Sequence, residues 1–538
     1  MPKKILLGDE CVALGAIDAG ITAAYAYPGT PSTEILEYLL DYRARHGTPH
    51  AAWCANERTA YEEAMGVSFA GRRSLVCMKH VGLNVAADPF VNSALVAPHG
   101  GLVVAVADDP GMHSSQNEQD SRCLADFARV VCLEPATQQE AYDMTREAFD
   151  LSERFRIPVV LRLVTRLAHS RTQVEVRERR VENPIRKAPA RNSWILLPMN
   201  ARRQWKELVD RQPELLAHTE SCSWNKLTLG DSGLGVITTG IARNYFREVS
   251  SELDIWPSHL HIGMYPIPAL LVRQLAAHVR RILVLEDGYP YVENRLRGLA
   301  RPPFEVLGRM SGQVPATGEL TPDVVRASLG LPARPTISLQ GLALPGRPPQ
   351  LCDGCPHAHA YHSLQKALEG LDTTMVTSDI GCYTLGALPP FSAIESCVCM
   401  GASIGMAKGA AEAGFWPVVA VIGDSTFLHS GITPLMDAAA ANTDMTVLIL
   451  DNMTVGMTGA QDPIVPSARL DAIVRGLGVD PDHFHVVDAH PRRVKGNADL
   501  LRREIEYHGL SVVVARRACK QVAPRFETGR PVVAEATP

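Results

Sequence analysis

Apolar and polar positions divide the chain into short hydrophobic runs separated by longer stretches of helical periodicity. The runs fall at 5–7, 74–78, 101–107, 157–162, 235–239, 281–285, 375–378, 417–422, 445–450 and 510–515. Several are rich in Val and Ile and carry no charge inside. Strands of a parallel sheet read this way, because both of their faces are buried and neither alternates toward solvent. Alternation with helices then predicts a multi-domain α/β chain whose parallel sheets are flanked by helices. The uncharged stretch 89–107 contains Asn92, Pro98, His99, Gly100 and Gly101. It predicts a helix, a turn and a buried strand, and no membrane span.

Turn-forming and Pro-rich segments mark the domain limits. The pattern predicts a first domain over 1–180, a connector over 181–229 and a second domain over 230–331, opening at Gly230-Asp231-Ser232-Gly233. A Pro-rich linker over 332–350, a third domain over 351–522 and a polar tail over 523–538 complete the chain. With 538 residues, 46% of them hydrophobic, the chain can bury several cores without disulfide staples. Lys and Arg total 53 against 58 Asp and Glu, a formal charge of −5, which excludes a broadly basic nucleic-acid surface. The apolar run Ile5-Leu6-Leu7 is too short for the core of a signal peptide, so a cytoplasmic protein is expected. In that reducing compartment the twelve cysteines read as buried apolar residues or metal ligands. No Gly-x-x-x-x-Gly-Lys-Ser/Thr run occurs, and Gly233-Leu234-Gly235 precedes a strand where a dinucleotide loop would follow one.

Gly423-Asp424-Ser425 ends one apolar run, and Asn452 stands 28 positions after Asp424 at the end of the next. This resembles the thiamine diphosphate motif, in which Gly-Asp-Gly is followed after about thirty residues by Asn. A diphosphate needs a hard divalent cation, normally Mg²⁺, with oxygen ligands. The motif implies Asp424, Asn452 and the backbone carbonyl of Thr454 as those ligands, at the carboxyl ends of parallel strands where cofactors bind. Gly423 permits a tight strand exit, and Ser425 replaces the second Gly of the motif with a small hydroxyl. The loop from Thr454 through Gly456 and Met457 looks like the one that follows this Asn in one branch of thiamine enzymes. An ordinary strand-end Asp and Asn is the plainer alternative.

Cys352-Asp353-Gly354-Cys355 opens the third domain, Cys382 follows the 375–378 run and Cys519 follows the last one. Four thiolates from loop positions of one sheet suit a 4Fe–4S cluster. They also suit zinc, with His357, His359 and His362 close in sequence, or no metal at all. Cys397 and Cys399 form a second candidate pair, for which a buried helix or strand is the plainer reading.

Tyr27-Pro28-Gly29-Thr30-Pro31-Ser32-Thr33-Glu34 resembles the N-terminal signature of 2-oxoacid:ferredoxin oxidoreductases. Met78 through Asn84, Asp108 through Asp120, 378–388 and 423–433 resemble the large subunit of the indolepyruvate branch. The resemblance spans nearly the whole chain. It implies that the first and last domains have the thiamine-binding fold and that the second is transketolase C-terminal-like. It implies oxidative decarboxylation of an aryl pyruvate on thiamine diphosphate, electron transfer through iron–sulfur clusters and acyl transfer to coenzyme A. Glu57, 25 residues before Gly82, matches the carboxylate that bonds the aminopyrimidine and promotes thiazolium deprotonation. Glu62 and Glu63 are its near neighbours, with a solvated helix face as their plainer reading. Thr30 matches the hydroxyl near the keto acid, and Arg122 matches the guanidinium that pairs with the substrate carboxylate, a surface Arg being its alternative. Lys79 and His80 follow a strand and face the substrate on this reading. His429 faces thiamine or is structural. Cys352, Cys355, Cys382 and Cys519 match the positions that hold the cluster nearest thiamine.

The relatives' large subunits usually continue into a ferredoxin-like domain, and no cysteine follows Cys519 in this sequence. Electrons are therefore expected to leave through a separate ferredoxin-like, flavin- or NAD-linked carrier. A smaller beta subunit and a dimer of the large subunit are the implied partners. Because Glu57 and Asp424 lie in different domains, those domains are expected to meet within one chain or across the dimer. Two other readings compete: a non-oxidative thiamine-dependent decarboxylase or lyase, and a non-catalytic scaffold subunit.

Overall fold

The computed structural model describes residues 2–186, 192–300, 302–335, 349–371 and 373–523, which fall into two compact units, 1–338 and 339–538. Most of the expected Pro-rich linker, part of the connector and nearly all of the tail lie outside the described residues.

The first unit contains a seven-stranded sheet. From edge to edge it runs Met264–Tyr265, Val131–Leu133, Val159–Val164, Leu102–Asp108, Ser74–Lys79, Ala23–Ala26 and His50–Trp53. All pairings are parallel except that of Met264–Tyr265 with Val131–Leu133. Every residue of Ser74–Lys79, Leu102–Asp108 and Val159–Val164 is buried, as the uninterrupted apolar runs predict. Helix Ala87–Ser93 and strand Leu102–Asp108 occupy the segment read as helix, turn and strand. The run at 5–7 behaves differently. It belongs to Lys3–Leu7, which pairs antiparallel with Arg171–Glu175 in a two-stranded ribbon outside the parallel sheet, leaving Ile5 exposed.

The same unit holds a five-stranded sheet in the order Glu305–Leu307, Arg281–Leu285, Leu234–Thr239, Ser258–Ile262, Lys226–Thr228. Two features fasten it to the larger sheet. Just after Ser258–Ile262, the chain crosses over as Met264–Tyr265 and adds an edge strand to the larger sheet. A buried ion network also joins the two. Arg162 Nε donates to Asp108 Oδ2 (2.6 Å), its Nη1 to Glu134 Oε1 (2.5 Å) and its Nη2 to the Asp287 carbonyl (3.1 Å). A buried guanidinium is tolerated only when its donors are matched in this way. Burial lifts Asp287 to about 6, with the Leu320 amide and Arg309 pulling the other way. Burial also works against Asp120, but Arg122 and Arg162 hold its carboxyl down to about 2.

The second unit is built on one wholly parallel sheet in the order Met375–Ser378, Val418–Gly423, Met445–Asp451, Leu510–Arg516, Phe484–Asp488. One face packs helices Pro356–Leu368 and Val494–Ile505 through Tyr361, Leu364, Leu501 and Ile505. The other packs Ala402–Glu412, Ile432–Ala441 and Ser467–Gly476 through Ile404, Leu435 and Leu470. The three central strands are therefore dry on both sides, and their polar chemistry is confined to the strand ends. Among the described residues no helix is long and apolar enough to cross a membrane.

Candidate active site

In the first unit, four loops leave the carboxyl ends of neighbouring parallel strands, the crevice where α/β proteins place ligands. The loop after Ala23–Ala26 is fixed locally. Ser32 Oγ donates to the Gly29 carbonyl (2.7 Å), and the Gly29 amide donates to Thr33 Oγ1 (3.0 Å). Thr30 lies half-buried between them. A Cβ at Gly29 would stand 3.2 Å from Cβ of Lys79, so the lysine stem covers this turn. Lys79 Nζ donates to the Ser114 carbonyl (3.0 Å). Burial lowers the Lys79 pKa, and Asp109 opposes the shift.

His80 opens helix His80–Val85 and is buried. Its Nε2 lies 3.2 Å from the Asn117 carbonyl, and its Nδ1 has no partner. A carbonyl only accepts, so Nε2 carries the proton and Nδ1 presents a lone pair. Burial depresses its pKa, which keeps the ring neutral. A cavity of about 180 Å³ lies beside it, lined by Asn84, Asp120, Ser121 and Tyr289 among others.

Glu57 is the first residue of helix Glu57–Phe69, whose start is capped by Asn56 Oδ1 accepting the Thr59 amide (2.8 Å). Its side chain is buried against Gly82: a Cβ there would stand 2.6 Å from Glu57 Cγ and 2.7 Å from Oε1. Only glycine leaves the carboxylate in place, which gives the 25-residue spacing a steric meaning. Gly82→Ala is expected to cost about 1–3 kcal/mol of stability by overpacking. It should also cost roughly a hundredfold in turnover, because the carboxylate must shift. Denaturant midpoints and steady-state rates measured on the same preparation would check both. Glu62 and Glu63 are exposed, and Glu62 pairs with Arg58 (3.0 Å), so they occupy the solvated face of the helix.

The expectation for Arg122 is corrected by the structure. Its side chain is wholly buried, and every donor is engaged. Nε donates to Asp120 Oδ1 (2.9 Å), Nη1 to Glu286 Oε2 (3.0 Å) and Nη2 to the carbonyls of Asp287 (3.0 Å) and Tyr289 (3.2 Å). It is neither a surface residue nor free to read a substrate carboxylate. The sequence reading missed its partners because Glu286 and Asp287 are more than 160 positions away.

In the second unit, Asp424 follows strand Val418–Gly423 and is buried. Gly423 is required at this exit because the Tyr383 ring lies on it, 2.5 Å from where a Cβ would stand. The Tyr383 hydroxyl in turn bonds the Asp379 carboxylate, which burial lifts to about 6. Asp424 Oδ2 accepts the Met453 amide (3.2 Å). Burial and the negative charge of Asp451 push the Asp424 carboxyl well up. Asp451 is itself held by Arg516 (2.6 Å) and Ser467 (2.9 Å). Asn452 and Thr454 are buried beside it, Asn452 Oδ1 accepting the Thr454 amide (3.2 Å). Ser425 Oγ is buried with no hydrogen-bond partner. These hard oxygen donors, with a carboxylate whose charge lacks compensation, fit Mg²⁺ and a diphosphate. The loop continues through the turn Gly456–Thr458, with Met457 exposed. His429, five positions after Asp424, is buried, its Nδ1 2.6 Å from Ser430 Oγ.

The cysteines converge on the same loop. Cys382 Sγ would lie 3.4 Å from a Cβ at Gly456, and the Cys519 amide donates to the Asn452 carbonyl (2.9 Å). The Cys355 amide closes a turn on the Cys352 carbonyl (3.0 Å), and Lys520 Nζ reaches the Asp353 carbonyl (3.1 Å). Burial, then the neighbouring thiols of Cys355, Cys519 and Cys352, push Cys382 up to about 12. Four thiols gathered beside one loop are a donor set that fits a metal cluster. His357 is buried with both ring nitrogens unpartnered, edge-on to Tyr383, and burial pulls it down to about 4. Cys397 and Cys399 are exposed in an irregular segment, not in a buried helix or strand.

Sequence reasoning missed Asp451, although its position directly before Asn452 was a usable signal. It also missed the contact that joins the cysteines to the Asn452 loop, which no spacing encodes.

Comparison with known proteins finds a thiamine-binding match in each unit. Residues 14–202 match the thiamine diphosphate-binding domain of pyruvate flavodoxin/ferredoxin oxidoreductase, and 379–506 match the C-terminal TPP-binding domain of thiamine pyrophosphate enzymes. The chain is 37% identical to indolepyruvate oxidoreductase subunit IorA of Archaeoglobus fulgidus, over 96% of this chain and 86% of that one. It is 36% identical to the IorA subunit of Methanothermobacter thermautotrophicus, over 99% and 89%. With that of Pyrococcus abyssi the identity is 34%, over 96% and 86%.

Proposed function

This chain belongs to the indolepyruvate oxidoreductase IorA-subunit family, a family of thiamine diphosphate-dependent 2-oxoacid oxidoreductases, and from that premise we propose its particular reaction. It is the large subunit of an enzyme that oxidatively decarboxylates an aryl pyruvate of the indolepyruvate type. The acyl group passes to coenzyme A, and the electrons leave through one 4Fe–4S cluster on Cys352, Cys355, Cys382 and Cys519. A smaller beta subunit and a separate ferredoxin-like, flavin- or NAD-linked carrier complete the assembly, with two copies of the large subunit.

The observation that carries the oxidative reading is the packing of the cysteines on the diphosphate loop, through Cys382 against Gly456 and Cys519 against Asn452. A non-oxidative decarboxylase has no use for four thiols at that place. Bound thiamine diphosphate supplies the nucleophilic carbon and the electron sink for decarboxylation. Glu57 would offer its carboxylate to the aminopyrimidine of a bound cofactor and hold the proton there. Asp424, Asn452 and the Thr454 carbonyl hold Mg²⁺, with Gly423, Ser425, Gly456 and Met457 shaping the diphosphate loop. Thr30, Lys79 and His80 line the place of the keto acid. Lys79 offers a positive charge to its carboxylate, and neutral His80 offers a lone pair at Nδ1.

Anaerobic purification followed by assay of iron, sulfide, zinc and thiamine diphosphate per chain tests this. About four iron and four sulfide are expected, lost together in Cys352→Ser. Thiamine diphosphate without iron under strict anaerobiosis would favour the non-oxidative reading, and zinc in place of iron would make the cysteine site structural.

A further inference from the structure

The first unit holds another set of ligand-type side chains, outside the residues assigned above. We propose that Asp9, Glu34 and His169 form a site for a borderline divalent cation of the Zn²⁺ or Mn²⁺ class. The ion would fasten helix Thr33–His46, directly after the Thr30 loop, to helix Gly8–Asp18 and to the end of helix Thr165–Ala168.

Each of the three residues offers one ligand atom, and these atoms lie within 4.8 Å of one another. His169 Nε2 is 3.5 Å from Glu34 Oε1. Asp9 is 0% exposed, and neither of its carboxylate oxygens has a hydrogen-bond partner; Glu34 Oε2 is also buried and unpartnered. A carboxylate in the first turn of a helix ordinarily caps free amides. Here Glu10 does so, accepting the Leu7 amide at 2.7 Å, and Asp9 caps nothing. Among the described residues no Lys or Arg forms an ion pair with Asp9. Burial raises its pKa most, followed by the charge of Glu34, a side-chain hydrogen bond shared with Glu34 once protonated and the charge of Glu10. A buried carboxylate packed against a second carboxylate, with no Lys or Arg paired to it, is the arrangement a cation relieves. Glu34 and His169 each keep 35% of their side-chain surface exposed, which gives an ion a route in from solvent. One imidazole with two carboxylates suits Zn²⁺ or Mn²⁺ better than Mg²⁺, and three protein ligands leave positions for water.

The test uses the full chain, stripped of metal by chelation, then saturated with thiamine diphosphate and Mg²⁺ and titrated anaerobically with Co²⁺. Wild type should bind one more Co²⁺ per chain than either Asp9→Asn or His169→Gln. The lost signal should be weak visible bands of oxygen and nitrogen ligation, not sulfur-to-metal charge transfer. Binding should release protons and raise the thermal midpoint in wild type only. In chelator, Asp9→Asn should be at least as stable as wild type, because the amide removes a buried acid. Equal Co²⁺ stoichiometry in all three proteins, or metal-induced stabilisation retained in the variants, would overturn the proposal. If Asp9→Asn does not fold, His169→Gln, at an exposed position, decides the question alone.

Discussion

Glu57→Gln is expected to lower 2-oxoacid turnover by about 10²–10⁴-fold, the usual contribution of a positioned acid–base group. The amide keeps the shape of the side chain against Gly82, so no steric change accompanies the loss of charge. What disappears is a carboxylate that can hold a proton on the aminopyrimidine. Folding stability and cofactor affinity should therefore change far less than the rate. Two measurements separate these effects: thermal midpoints with and without cofactor, and the indolepyruvate-dependent reduction of an artificial one-electron acceptor. A glutamine variant retaining most of its turnover would take the proton-holding role away from Glu57.

Asp424→Asn should produce effects of opposite sign on cofactor binding and on stability. Removing one partner of a buried charge pair costs about 2–5 kcal/mol. That converts to roughly 30- to 4000-fold in apparent affinity for thiamine diphosphate with Mg²⁺. Without cofactor the sign reverses. Burial and Asp451 raise the Asp424 pKa above its unfolded value, so its contribution is most favourable below the ordinary carboxyl range and is lost as pH rises through the raised value. At neutral pH the cofactor-free wild type bears that cost, and asparagine removes it. The variant should therefore melt higher than wild type without cofactor, lack part of wild type's fall in stability with rising pH, and gain little on adding cofactor and Mg²⁺. Melting curves from pH 4 to 8, with and without ligand, would read all three effects. A variant less stable than wild type in the cofactor-free state would mean that Asp424 is held by contacts other than those seen here.

Arg122 shows how the same residue type serves two roles that a sequence does not separate. A guanidinium after a strand reads equally well as a carboxylate reader or as a structural cation. Here Asp120, Glu286 and two carbonyls occupy its donors, and together with Arg162 it joins the two sheets of the first unit. Beside the Thr30 turn the structure places Lys79, whose stem packs on Gly29.

The sequence by itself determined the α/β class and the central strands, because a strand buried on both faces must be written as an uninterrupted apolar run. It also determined the positions of Gly423, Asp424 and Asn452, because polar residues that interrupt such runs fall at the strand ends. Short or edge strands such as His50–Trp53 and Met264–Tyr265 escaped that reading, since two to four residues carry no periodicity of their own. The run at 5–7 was misplaced for a related reason: an apolar triplet does not say whether its partner is a parallel neighbour or the antiparallel Arg171–Glu175. Only the tertiary structure decided which charges are partners. Asp424 with Asp451, Arg122 with Glu286, Cys382 with Gly456 and Asp9 with Glu34 and His169 are contacts across strands and helices. Their energies depend on distance and burial in space, and neither quantity is a function of spacing along the chain.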